Sequence, residues 1–105
     1  MTTVTFYNLG NLICGFTISG HSGYSEEGSD IVCAAVSSAA IMAVNTITEI
    51  LHIDARVTEN DGFLRLNLSE NEAEKSSVIL EGLKLHLTAL SEQYTKYIKV
   101  KNSEV

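Results

Sequence analysis

The stretch 20–38, with the sequence GHSGYSEEGSDIVCAAVSS, separates a β-rich beginning of the chain from its first helix. Its first half is polar and interrupted by glycines, whereas its second half is apolar with helical spacing, which predicts a loop followed by a helix. His21 lies where the loop begins, and Cys33 lies in the first turn of the helix. Unpaired amides and a partial positive charge at a helix N-terminus favour a thiolate, so Cys33 is a candidate nucleophile.

The remaining elements follow from the patterns on either side of this stretch. Alternating apolar residues predict hairpins before and after the first helix, and the pair Ser69 and Glu72 predicts a capping box that opens a second helix. The predicted elements are strands at 2–7 and 12–18, a helix at 31–51, strands at 53–57 and 64–68, a helix from 69 to about 92 and a strand at 94–100. The order β-β-α-β-β-α-β predicts one α+β domain over residues 1–105, a mostly antiparallel five-stranded sheet packed against two helices.

Composition narrows the class of protein. The chain has 105 residues of which 45% are hydrophobic, no proline and a net charge of −6. This predicts a folded globular domain, and the acidic balance disfavours direct nucleic-acid binding while favouring basic partners. No unbroken apolar run reaches the length of a membrane span, and the first residues lack the pattern of a signal peptide, so we expect a soluble cytoplasmic protein.

The two cysteines, Cys14 and Cys33, are expected to remain free thiols. Disulfides are rare in the cytosol, and the two residues lack the spacing of a metal site. Cys14 falls in a strand pattern and is interpreted as a small buried hydrophobic residue of low reactivity. We predict neither a metal nor another cofactor.

The residues Gly20-His21, Gly28 and the run 30–37, DIVCAAVS, resemble the signature of the ribosomal-processing cysteine proteases, the Prp family. The similarity in length and element order covers nearly the whole chain. It implies a bacterial cytosolic endopeptidase, a homodimer, that removes the N-terminal extension of protein number twenty-seven of the large ribosomal subunit, cutting after aromatic residues. It also implies that Cys33 is the nucleophile and His21 the general base and acid.

Two residues near the thiol have two interpretations each. Asp30 is suited to cap the helix, which we favour, and its carboxylate is also suited to orient His21 as the third member of a triad. Ser37 lies one turn after Cys33 on the same side, where it either supports the thiol or bonds to its own helix backbone.

The polar segment between the two reactive residues has an ordinary and a functional interpretation. It is either a plain surface connection or a mobile lid over the substrate, in which Tyr24 touches the bound peptide. The residues that would form this substrate loop are Gly20, Ser22, Gly23, Tyr24 and Gly28. Ser22 stands where many members of the family have Ala.

Rival functions share parts of this pattern. The chain could be a non-catalytic protein-interaction module associated with the ribosome, in which Cys33 is a structural helix residue. A thiol-dependent transferase or thioesterase would use the same nucleophile, but the sequence has no glycine motif for a phosphate-bearing cofactor. For the protease, we expect free N–H groups at the start of the Cys33 helix to serve as oxyanion donors. The other histidines, His52 and His86, are not expected to act as bases.

Overall fold

The structure is a computed structural model, and it describes residues 1–21, 23 and 30–105. Its elements are β1 (Thr2–Leu9), β2 (Leu12–Ser19), α1 (Ile31–Asn45) continued by a π-helical turn (Thr46–Ile50), β3 (Arg56–Asn60), β4 (Phe63–Asn67), α2 (Glu70–Lys75), α3 (Ser77–Gln93) and β5 (Ile98–Glu104). The predicted α+β fold is confirmed. The helical part after β4 is divided into two helices, so the order is β-β-α-β-β-α-α-β.

The sheet has five strands in the order β3-β4-β2-β1-β5. Neighbouring strands are antiparallel except β1 and β5, which are parallel, so the sheet is mixed and mostly antiparallel as predicted. The register places Phe6 opposite Phe16 and Phe16 opposite Leu66. Directly opposite residues share a face of a sheet, so these side chains form one apolar face in the middle of the sheet.

The helices supply the other half of the core. Phe6 and Phe16 are fully buried, and their ring centroids lie 6.0 Å apart. The buried residues of α1 recur at helical spacing, as do those of α3; they are Val32, Val36, Ala40 and Ala43 in α1 and Leu80, Leu83 and Leu87 in α3. Small residues on α1 allow its backbone to approach its neighbours closely. This packing fixes the position of the N-terminal turn of α1, which carries Cys33.

The first helix requires a correction to the membrane argument. With its π-helical continuation, residues Ile31–Ile50, it is long and apolar enough to cross a membrane, with a mean hydropathy of 1.8. The expectation drawn from unbroken apolar runs missed this because small polar residues interrupt the segment. Its inward residues belong to the core, although only 33% of the apolar window is buried, and a single such helix is weak support for a membrane span.

The predicted boundaries differ from the structure in three places. The strand predicted at 53–57 is β3 at Arg56–Asn60, so Ile53 and Ala55 precede the strand. The second helix is interrupted at Ser76, whose backbone (φ −102°, ψ 4°) leaves the helical region and whose N–H bonds back to the carbonyls of Glu72 and Ala73. The last strand begins at Ile98 rather than at Tyr94, because a turn closed by the 2.9 Å bond from the Tyr97 N–H to the Tyr94 carbonyl precedes it. It then continues through polar residues to Glu104, paired with β1.

Candidate active site

A cavity of about 480 Å³ lies where the end of β2, the start of α1 and the turn between β3 and β4 meet. Both sequence-predicted reactive residues, His21 and Cys33, line it. The other described residues of its wall come from four parts of the chain; they are Thr2, Ile18, Gly20, Gly23, Asp30, Ala34, Val36, Ser37, Ile41 and the hairpin residues 59–64. The fold therefore brings the two ends of the polar segment to one site.

Cys33 is the third residue of α1, and its side chain is partly exposed. The helix is capped by Asp30, whose Oδ1 accepts hydrogen bonds from the amides of Val32 and Cys33, both at 3.0 Å. Asp30 itself is buried, with 8% of its surface exposed. The predicted capping role of Asp30 is confirmed, and the cap holds the turn that presents the thiol.

The same cap corrects the expectation about oxyanion donors. The amides of Val32 and Cys33 are already bonded to the Asp30 carboxylate, and the amide of Ala34 bonds to the Asp30 carbonyl at 3.0 Å. A donor for an oxyanion must be free to point at the reacting carbonyl. Three amides at the helix start, those of Val32, Cys33 and Ala34, are therefore already bonded within the chain and are not the free donors that the sequence predicts.

His21 lies two residues after the end of β2 and is exposed. The described residues give no hydrogen bond between its ring and the Cys33 thiol, although both side chains line the cavity. Catalytic hydrogen bonds are often long or absent before substrate binds. The cavity wall therefore contains a thiol and an imidazole that are not hydrogen-bonded to each other in this structure.

The backbone beside His21 is attached to the turn between β3 and β4. The Gly20 N–H donates to the carbonyl of Gly62 at 2.9 Å, and the Nε2 edge of the His21 ring lies against Gly62. The sequence predicts a hairpin after the first helix, but its pattern does not connect the turn of that hairpin with the site. The connection depends on the pairing of β2 with β4. These two strands are far apart in sequence, and no local pattern predicts that they pair.

The remaining predicted residues divide into those described and those outside the described ranges. Ser37 lines the cavity, is exposed and makes no hydrogen bond to its own helix backbone among the described residues, which disfavours that interpretation. Gly20 and Gly23 have φ of 83° and 78°, the left-handed region that favours glycine. Ser22, Tyr24 and Gly28 lie outside the described residues.

The described charged side chains that line the cavity are acidic. Three carboxylate residues, Asp30, Glu59 and Asp61, line it, whereas no lysine or arginine does so within the described part of the chain. Among residues 1–21, 23 and 30–105, no group of three His, Cys, Asp or Glu side chains could hold a metal ion. Both cysteines are free thiols, and Cys14 is buried as predicted. The chemistry available in the cavity is that of a thiol, an imidazole and carboxylates.

Comparison with known proteins places the chain in a family. The sequence profile of the family described as cysteine protease Prp matches residues 1–99. The ribosomal processing cysteine protease Prp of Bacillus subtilis is 27% identical over 94 residues, which cover 84% of each chain. The protein of the same name from Staphylococcus aureus is 26% identical over 85 residues, which cover 79% of this chain and 80% of the relative.

Solved structures share the fold of this chain. A crystal structure from Streptococcus mutans superposes with a TM-score of 0.82 at 29% identity, covering 100% of this chain and 96% of the other. The essential ribosomal processing protease Prp from S. aureus, in complex with a covalently linked product peptide, superposes with a TM-score of 0.84 at 24% identity, covering 98% and 100%. The family profile spans nearly the whole chain and the fold is shared. The chain therefore belongs to the cysteine protease Prp family and is an enzyme of the cysteine protease class.

Proposed function

We propose that Cys33 is the nucleophile of this protease and that His21 is its general base and acid. The observation that carries the proposal is the cavity that both side chains line, although a polar segment separates them in sequence. Cys33 is partly exposed, as a nucleophile must be, whereas the other thiol, Cys14, is buried. The described residues show no hydrogen bond between the two side chains, so the proposal requires substrate binding to complete the contact between the imidazole and the thiol.

The proposed reaction is acyl transfer through a thioester. His21 takes the Cys33 proton as Sγ bonds to the substrate's carbonyl carbon, and it then gives that proton to the leaving amine as the C–N bond breaks. Water, deprotonated by His21, then attacks the thioester carbonyl and the thiol is restored. Ser37 is proposed to support the thiol, and Asp30 to orient His21 in addition to its capping role.

We further propose that the substrate is the N-terminal extension of protein number twenty-seven of the large ribosomal subunit, cut after aromatic residues. Relatives named as ribosomal processing proteases support this, as does an S. aureus structure with a substrate peptide. Apolar wall residues favour an aromatic side chain; they are Ile18, Val36, Ile41, Phe63 and Leu64. The net charge of −6 favours a basic ribosomal partner.

The setting of the reaction is also part of the proposal. We expect a cytoplasmic single-domain enzyme that works without a cofactor, forms a homodimer and does not bind nucleic acid directly. Exposed apolar side chains on the first helix, Ile41, Met42 and Ile50, support an association of two copies. The lid formed by Ser22, Tyr24 and Gly28 falls outside the described residues and stays a prediction.

The test is cleavage of a peptide that spans the extension, followed by mass spectrometry. We expect the native chain to make one cut after the aromatic residues and to leave a peptide with alanines at those positions intact. Cys33→Ala should abolish cleavage, and His21→Ala should reduce kcat/KM by at least about 100-fold, the range for loss of a general base. Cys14→Ala is the matched control and should retain activity.

Other outcomes assign the rival functions. A native chain that binds the peptide without cutting it, and whose Cys33 is alkylated as slowly as Cys14, would be the interaction module. A chain that leaves the peptide intact but hydrolyses simple thioesters through Cys33 would be a thioesterase. Cleavage that survives in Cys33→Ala would refute the proposed nucleophile.

A further inference from the structure

The ring of His21 rests against a residue that no sequence pattern connected with catalysis. A Cβ built on Gly62, in the turn between β3 and β4, would lie 3.2 Å from His21 Nε2, 3.7 Å from Cε1 and 3.8 Å from Cδ2. The first distance is shorter than ordinary van der Waals contact, whereas the others are within it. The Nε2 edge of the imidazole therefore packs so closely against Gly62 that a side chain at this position would push the ring by a few tenths of an ångström.

A second contact ties the same turn to the residue before His21. The Gly62 carbonyl accepts the N–H of Gly20, the residue before His21, at 2.9 Å. The turn thus holds both the backbone before His21 and the edge of its ring. Since β3 and β4 are paired along their length and β4 is paired with β2, the turn is anchored to the sheet that carries His21.

We propose that Gly62 is a positioning residue for His21, and that the β3–β4 turn sets where the imidazole stands at the mouth of the cavity. The inference rests on the proposed role of His21 as general base. The turn conformation alone, with a φ of 72° at Gly62, already favours glycine. The proposal adds a second reason for glycine at this position. That reason is to leave room for the edge of the ring.

A methyl group at this position should displace the ring by a few tenths of an ångström. Small errors in the placement of a catalytic group are costly, and a displacement of about 1 Å can lower a rate about 100-fold. For Gly62→Ala we expect kcat to fall about 10-fold, with little change in KM, because the turn acts on the base rather than on substrate binding.

The chain offers a matched control for backbone strain. Gly10, in the turn between β1 and β2, has a φ of 64°, and a Cβ there would meet nothing within 4 Å. Gly10→Ala therefore introduces similar strain into a similar hairpin without touching His21. We expect the two variants to lose similar amounts of melting temperature, whereas only Gly62→Ala loses kcat.

A second pair of variants covers the case in which Gly62→Ala fails to fold. Asn tolerates the left-handed region better than Ala but carries the same Cβ. Gly62→Asn should therefore fold and still lose kcat, with Gly10→Asn as its control. Equal kcat in Gly62→Asn and Gly10→Asn would overturn the proposal.

A double-mutant cycle identifies the path of the effect. The rate of Cys33 alkylation by iodoacetamide is measured against pH in the native chain, Gly62→Ala, His21→Ala and the double variant. We expect Gly62→Ala to change the profile of the native chain and to cause no further change when His21 is already absent. The same change in both backgrounds would show that Gly62 acts through the fold and not through His21.

The experiments distinguish an error in the role of His21 from an error in the role of Gly62. If His21→Ala leaves peptide cleavage intact, the role proposed for His21 is wrong and the role of Gly62 is wrong with it. If His21→Ala abolishes cleavage while Gly62→Ala behaves like Gly10→Ala, only the positioning role is overturned.

Discussion

At the scale of single residues, Asp30 connects the fold with the chemistry. One oxygen of its buried carboxylate accepts two amides at the start of α1, and one of these belongs to Cys33. This arrangement fixes the turn that carries the thiol, and Asp30 and Cys33 line the same cavity. The capping role follows from the contacts, whereas an orienting role towards His21 has to be tested separately.

Asp30→Asn and Asp30→Ala separate the two roles. Asn caps helices as well as Asp does, so Asp30→Asn should keep the native stability, whereas Asp30→Ala should lose about 1 kcal/mol. Urea unfolding gives both free energies, and peptide cleavage is measured on the same samples. A stable Asp30→Asn with reduced cleavage would add the orienting role. An Asp30→Ala as stable as the native chain would contradict the cap.

Two glycines predict opposite effects for the same chemical change. A Cβ on Gly15 would overlap the backbone carbonyl oxygen of Leu66 on the neighbouring strand, whereas a Cβ on Gly82, exposed in α3, would meet nothing within 4 Å. Gly15→Ala should destabilise the chain by about 1–3 kcal/mol through overpacking. Gly82→Ala should stabilise it by about 1 kcal/mol, since alanine favours helix.

Denaturant unfolding of the two glycine variants, measured side by side, provides the check. The expected result is a lower midpoint for Gly15→Ala and a higher one for Gly82→Ala than for the native chain. If Gly15→Ala unfolded at the native midpoint, the close approach of β2 and β4 described above would be wrong.

At the scale of elements, α2 begins with the capping box that the sequence predicted. Ser69 Oγ accepts the Glu72 amide at 3.3 Å, and Glu72 Oε1 accepts the Ser69 amide at 2.7 Å. The hydrogen bond from the Ser69 amide is the main reason that the pKa of Glu72 lies below its ordinary value of 4.5, with Arg56 contributing at 3.3 Å. The box therefore depends on the charge of Glu72.

The lowered pKa of Glu72 predicts how the contribution of the box changes with pH. A carboxyl whose pKa is lower in the folded state stabilises the fold above its ordinary value, and the contribution is lost as the pH falls through the folded value. Glu72→Gln should therefore melt below the native chain at pH 7 by more than it does at pH 3.

Thermal melts of Glu72→Gln and the native chain at a series of pH values test this dependence. Glu74→Gln removes a charge from the same helix outside the capping box and serves as the control. A difference between Glu72→Gln and the native chain that stayed constant between pH 7 and pH 3 would contradict the role of the charge.

Elements whose sequence signals lie within a few residues could be predicted, whereas elements that depend on distant parts of the chain could not. Both hairpins, the first helix and the capping box have signals within a few residues, and all four are present, although β3 begins three residues later than predicted and the end of the first helix is π-helical. The break at Ser76 has no glycine or proline to announce it. Its hydroxyl is buried and makes no capping hydrogen bond among the described residues, so a side-chain cap does not explain the break.

Long-range pairing accounts for the other differences. The polar half of β5, up to Glu104, is a strand because β1 offers it a parallel partner, and no alternation of apolar residues marks it. Similarly, Cys33 and His21 were predicted from local signals and their family resemblance, whereas the contribution of Gly62 depends on β4 pairing with β2. Sequence patterns identify chemistry-bearing residues more readily than the neighbours that position them.

At the scale of the whole molecule, the fold brings the end of β2 and the start of α1 to one cavity. The sheet carries His21 at the end of β2, and the helix packed on that sheet carries Cys33 in its first turn. The core between them is continuous, from Phe16 in the sheet to Val36 in the helix. The central claim is that the fold makes Cys33 a reactive nucleophile assisted by His21.

The most direct measurement is the rate of alkylation of each cysteine by iodoacetamide as a function of pH, with the labelled peptides quantified by mass spectrometry. Buried Cys14 is the internal reference for an unreactive thiol. The account predicts that Cys33 reacts rapidly well below pH 8, that His21→Ala removes this reactivity, and that Cys14 reacts slowly throughout. Alkylation of Cys33 as slow as that of Cys14 at every pH would contradict it.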